Sequence, residues 1–98
     1  MARQVPSRAG TATLSNVDDS AASVSLLAAN TTRSGVILVN DSGEILYLKY
    51  GATASLTSFT YKIAAGGTWE MPEPIYLGAI DGIWAANGAG AARITELT

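Results

Sequence analysis

The chain has 98 residues, with six basic and eight acidic side chains and a net charge of −2. That limits it to one domain and excludes a nucleic-acid binder held by mass electrostatics. Histidine and cysteine are both absent, and with them go the usual general base, the thiolate nucleophile, the common zinc ligands and any disulfide.

Residues 1–20 read as an extended N-terminal arm. Arg3 and Arg8 are the only charges before Asp18, and Pro6, Gly10 and scattered Ser, Thr and Ala make no sustained apolar face. No apolar h-region follows Arg3 and no run of about eighteen apolar residues occurs, so synthesis in a cytoplasm without membrane insertion is expected. Within the arm, Thr11 to Val17 alternates weakly and suits an edge strand, added to this subunit or to a neighbour.

Residues 21–98 form the expected domain, in which short apolar stretches recur at about eight to twelve residues between Gly, Asn, Asp, Pro and Ser. Val24 and Leu26 alternate with Ser23 and Ser25, and Asn30–Gly35 is a polar connection. Val36-Ile37-Leu38-Val39 is apolar on both faces and predicts a central strand covered on two sides. Asn40-Asp41-Ser42-Gly43, followed by Glu44 to Tyr50, predicts a hairpin in which Gly43 supplies a positive φ.

Phe59, Tyr61 and Ile63 alternate with Thr60, Lys62 and Ala64, so one face of that strand is expected inside. Gly66-Gly67 ends it and Thr68 to Met71 begins the next. Pro72 and Pro74 cannot sit inside a central ladder and mark an edge or a corner between sheets. Ile75-Tyr76-Leu77, Ile80 to Ala85 and Ala91 to Leu97 bring the count to about eight strands. The expectation is an all-β, single-domain antiparallel β-sandwich, with a compact jelly roll as one form of it.

Few constellations carry chemistry. Asn40, Asp41, Ser42 and Glu44 gather oxygens but lack the full acidic loop of a calcium site, and are expected to form a turn. Glu70, Glu73 and Asp81 lie near Tyr76 and Trp84 in sequence, the residue types of a sugar site, yet Trp69 and Trp84 are more simply core anchors. Without histidine, and with Lys49 and Lys62 as the amine bases, no activated nucleophile is visible, so neither enzyme activity nor a cofactor is expected. Asn87-Gly88-Ala89-Gly90 lacks the lysine and the helix of a phosphate loop and reads as a turn. Arg3, Val5, Pro6 and Arg8 are the candidate partner-binding residues of the arm. Tyr47, Tyr50, Tyr61 and Trp84 are candidates for an exposed aromatic patch.

The order of segments resembles a widespread family of small structural proteins of tailed bacteriophages. The likeness runs through Ser25-Leu26-Leu27-Ala28-Ala29-Asn30, Val36 to Ser42, Leu46-Tyr47-Leu48-Lys49-Tyr50-Gly51 and Phe59 to Gly67. It continues through Trp69-Glu70-Met71-Pro72, Tyr76 to Ala85 and Ala92-Arg93-Ile94-Thr95-Glu96, covering roughly residues 23–98. The resemblance implies a non-enzymatic virion component, made in the host cytoplasm and carrying no catalytic residues.

Two roles are compatible with it. One is a capsid decoration (cement) protein that binds the major capsid protein on the shell, as a homo-oligomer with a trimer favoured. The other is a neck, tail or head-fibre module whose exposed aromatics bind a host glycan. The low charge and the arm favour the first, and deleting residues 2–20 is then expected to leave the sandwich folded while cutting capsid occupancy.

Overall fold

Alternation of apolar and polar side chains with period two gives each strand one inward face. The computed structural model, which describes residues 8–98, forms eight strands and no helix among them. They are β1 (Ala12–Asp18), β2 (Val24–Leu27), β3 (Gly35–Asp41), β4 (Leu46–Tyr50), β5 (Tyr61–Ile63), β6 (Thr68–Glu70), β7 (Ile80–Trp84) and β8 (Ala91–Leu97). One antiparallel sheet, A, has the order β1-β8-β3-β6, and the other, B, has the order β2-β7-β4-β5.

These two orders are those of an eight-stranded jelly roll. Of the seven connections, only that from β4 to β5 stays within one sheet. Leu26, Leu46, Leu48, Ile63, Ile80 and Trp84 from sheet B meet Val36, Leu38, Trp69, Ala92 and Ile94 from sheet A in a single core.

Several expectations are corrected. The segments on either side of Gly43 do not form a hairpin: β3 pairs with β6 and β8, and β4 pairs with β5 and β7. The turn chemistry of Asn, Asp, Ser and Gly serves a corner between sheets as well as a hairpin, and both neighbours of β3 are supplied from elsewhere. Gly43 has no positive φ; among the described residues Gly51 and Gly66 do. Ile75-Tyr76-Leu77 is irregular, and β1 makes up the eighth strand instead.

β3 is central in its sheet but covered on one side. Val36 and Leu38 are buried, whereas Ile37 points outward and is 36% exposed. The segment after β6 that carries Pro72 and Pro74 crosses from sheet A to sheet B. β1 pairs with β8 along its whole length, from Ala12 opposite Leu97 to Asp18 opposite Ala91. The boundary drawn at residue 20 therefore falls beyond a strand that belongs to this sheet.

Candidate functional site

The polar centre of the sandwich is Asn40, fully buried at the end of β3. Its Nδ2 donates to the carbonyls of Glu44 (2.8 Å), Ile63 (3.1 Å) and Ala64 (3.1 Å). Its Oδ1 accepts from Trp84 Nε1 (3.0 Å) and from the Ser42 hydroxyl (2.9 Å). One amide thus ties the β3–β4 corner to the end of β5 and to the core tryptophan, leaving no polar atom of its own unsatisfied. The Asn40–Glu44 cluster is accordingly a built turn.

Trp84 is corrected as a member of an exposed patch, because it is 0% exposed and its indole N–H is spent on Asn40. The three tyrosines are also divided. Tyr47 stands opposite Lys62 and Ile83, on the outer face of sheet B, whereas Tyr50 and Tyr61 align with the core residues Ile80 and Leu48. An odd spacing along one strand separates Tyr47 from Tyr50, and in a sheet that puts them on opposite faces.

Tyr50 and Tyr76 stack at 4.5 Å, and with Tyr61 they make a half-buried aromatic rim against the buried Trp69. Burial pushes the Tyr50 phenol up to about 12, with Tyr61 adding to the shift by its charge and hydrogen bond and Arg33 opposing it. Phe59, expected inside with Tyr61 and Ile63, lies before β5 begins and is 39% exposed. It packs edge-on against Tyr47 at 5.0 Å, with Lys62 Nζ 5.7 Å from that ring.

The carboxylates separate as well. Glu70 faces outward on sheet A beside Ile37, whereas Asp81 pairs with Lys49 and Ser25 on the outer face of sheet B. The acids that adjoin in sequence are thus carried to different layers. No group of three or more His, Cys, Asp or Glu side chains converges among the described residues.

Sequence reasoning passed over Arg33, a residue of the polar connection before β3. Its side chain is fully buried: Nε donates to Glu96 (2.8 Å), Nη1 to the carbonyls of Tyr76 (2.7 Å) and Gly78 (3.0 Å), and Nη2 to Ala28 (2.7 Å). It fastens the irregular 76–78 segment and the 28–34 loop to β8. Asp19 likewise accepts from Gly88 and Gly90 and holds the 87–90 turn. Gly90 passes so close to the β3 corner that an added Cβ would lie 2.3 Å from the Asp41 carbonyl.

Two surface features remain. The first is the free edge of β1, whose residues are exposed apart from half-buried Val17, with Leu14 at 74%. The second is a groove of about 240 Å³ beside β3 and β6, whose lining includes Gly35, Ile37, Glu70, Glu73, Ile75 and Leu97. Of the arm residues singled out in the sequence, Arg3, Val5 and Pro6 lie outside the described residues, and Arg8 is exposed shortly before β1. Comparison with family profiles, curated proteins and solved structures returned no match.

Proposed function

We propose that this chain is a non-enzymatic structural protein of a tailed-phage particle, acting as a decoration (cement) protein that docks on the major capsid protein and braces the shell. The observation that carries the reading is the edge of β1, seven residues that among the described residues pair with β8 alone and are exposed apart from half-buried Val17. Natural sheets blunt such edges with lysine, proline or a covering loop, and β1 contains neither of those residues. An edge left in this state suits addition of a strand from a partner, in which main-chain hydrogen bonds supply affinity and Leu14 supplies an apolar anchor.

The resemblance of residues 23–98 to phage structural proteins and the low charge of the chain support the same reading. Jelly rolls also build viral capsid domains, which adds an analogy of fold. Each docking contact is weak, and repetition in a homo-oligomer, with a trimer favoured, multiplies it over a symmetric shell. Virion localisation on the capsid surface follows from this role.

The deciding experiment is the copy number of the chain relative to the major capsid protein in purified particles, by quantitative mass spectrometry. Comparable copies are expected, because only the shell offers that many equivalent positions. A few copies per particle would place it at the neck, tail or a head fibre, and none would discard the virion reading. The Tyr47–Phe59 ledge beside Lys62 favours the fibre alternative if the copies are few, and glycan binding lost on Phe59→Ala would then identify it.

A further inference from the structure

We propose that Asn87-Gly88, in the loop from β7 to β8, is a self-modification site: its asparagine deamidates through a cyclic imide when free, and the corner at Asp19–Ala21 keeps it unreacted. This goes beyond the particle role and does not depend on it.

Asn87-Gly88 is the one Asn-Gly pair of the chain. Glycine has no Cβ to shield its backbone nitrogen, so attack by that nitrogen on the preceding side-chain carbonyl carbon is least hindered there. The bond that forms joins Gly88 N to Asn87 Cγ. The bond that breaks releases Nδ2 as ammonia, which carries off the Gly88 amide proton. Water then opens the imide at either carbonyl and leaves aspartate or isoaspartate at position 87. Both residues are exposed and lie outside any strand, so neither burial nor a sheet ladder prevents the reaction.

The restraint comes from the β1–β2 corner. Gly88 N, the nucleophile, donates to Asp19 Oδ1 (3.0 Å), and Asn87 Oδ1, on the carbon under attack, accepts from Ala21 N (2.7 Å). Ring closure needs that nitrogen turned onto Cγ, and each reacting group is instead tied to a different residue of the corner. The corner is itself fastened: Asp19 N donates to the Gly90 carbonyl (3.0 Å), Trp84 N to the Ser20 carbonyl (2.8 Å) and Gly90 N to Asp19 Oδ2 (3.2 Å).

The same carboxylate explains why the labile pair stands here. A Cβ on residue 88 would lie 2.8 Å from Oδ2 of the buried Asp19, so glycine is the residue that lets the carboxylate approach. Asp19 thus demands the residue that makes Asn87 reactive and holds the amide that would react. Asp18 opposite Ala91 is the last pair of β1 with β8, so whatever peels β1 from that end withdraws Asp19 and Ala21 together. The isoaspartyl product, with one more carbon in its backbone, would carry Gly88 N away from Asp19 and lock the release in.

The test is the lifetime of the Asn87 amide in the full chain at mildly alkaline pH. Mass spectrometry reads it in the tryptic peptide that follows Lys62 and ends at Arg93, whose sole asparagine is Asn87. In urea, where the corner is gone, the amide is expected to be lost at least about tenfold faster than in the folded chain. Asp19→Ala should bring the folded chain within a few-fold of the urea rate. Asp19→Asn keeps the shape but presents an amide donor to the two glycine N–H groups; it should speed the loss several-fold and decides the matter if the alanine variant does not fold. Ile63→Val, on β5 at the far edge of sheet B from β2, weakens the core without touching the loop and should leave the rate unchanged. Equal rates for the folded and urea-unfolded parent would overturn the proposal, as would a parental rate in the folded Asp19 variants or an acceleration by Ile63→Val as great as theirs. A slower reaction without the Asp19 carboxylate would also overturn it, by making that group the base that takes the Gly88 proton.

Discussion

Two buried polar side chains hold the corners of this sandwich, and both have more partners than a pattern of apolar residues can announce. Asn40→Ala would leave the buried Trp84 indole N–H without its acceptor and take a donor from the Glu44, Ile63 and Ala64 carbonyls, with an expected loss of about 2–4 kcal/mol in denaturant unfolding. Asn40→Asp should cost at least as much, because a carboxylate presents only acceptors to three carbonyl oxygens. Arg33→Met leaves Glu96 as a buried charge without its cation and is expected to cost about 3–5 kcal/mol. Glu96→Gln retains an acceptor for the guanidinium and should cost only about 1–2 kcal/mol, so unequal losses in the two variants check that Arg33 is the clamp. Asn40 sits in a stretch that reads as a turn, with nothing to announce its buried partners; Arg33 sits in a polar stretch that reads as an ordinary loop, and its burial exists only because residues 28, 76, 78 and 96 meet there.

At the scale of elements, β1 decides how the N-terminal region should be probed. Deleting residues 2–20 would remove β1 from β8 and Asp19 from the 87–90 turn, so the expectation of an intact sandwich does not transfer to that truncation. A deletion of residues 2–9 spares every β1–β8 pair and should keep the melting temperature within a few degrees of the full chain, as calorimetry would show. Leu14→Lys places a charge on an exposed edge position and is expected to change stability by less than about 0.5 kcal/mol. The same substitution should lower occupancy on particles several-fold; full occupancy would remove β1 as the docking edge.

For the whole molecule, alkaline pH should loosen the aromatic rim. The Tyr50 phenol is raised from 10.0 to about 12, so the folded state keeps a proton that the unfolded chain gives up. The stability this contributes is fully present below pH 10 and is lost as pH rises through the window from about 10 to about 12. Phenolate absorbance should show one tyrosine titrating late, and chemical denaturation midpoints should fall across that window. Tyr50→Phe removes the titrating group, and its midpoints should fall less. Stacking of Tyr50 on Tyr76 and contact with Tyr61 and Trp69 spread the effect over the ends of β4, β5 and β6.

Much of the architecture was legible in the residues themselves. Alternation in Val24–Leu26 and Tyr61–Ile63, with Gly, Asn and Pro between the apolar stretches, specified short strands, and Pro72 and Pro74 marked an edge or a corner between sheets. These are local signals, because a strand's period and a turn's φ/ψ demands are properties of a few neighbouring residues. Which strand pairs with which is a contest among long-range partners. Only the tertiary structure could turn the expected hairpin at Gly43 into a crossing and bring β1 onto β8. The same holds for Asn40 and Arg33, most of whose hydrogen-bond partners lie more than twenty residues away, so their roles come into being only once the two sheets close on each other.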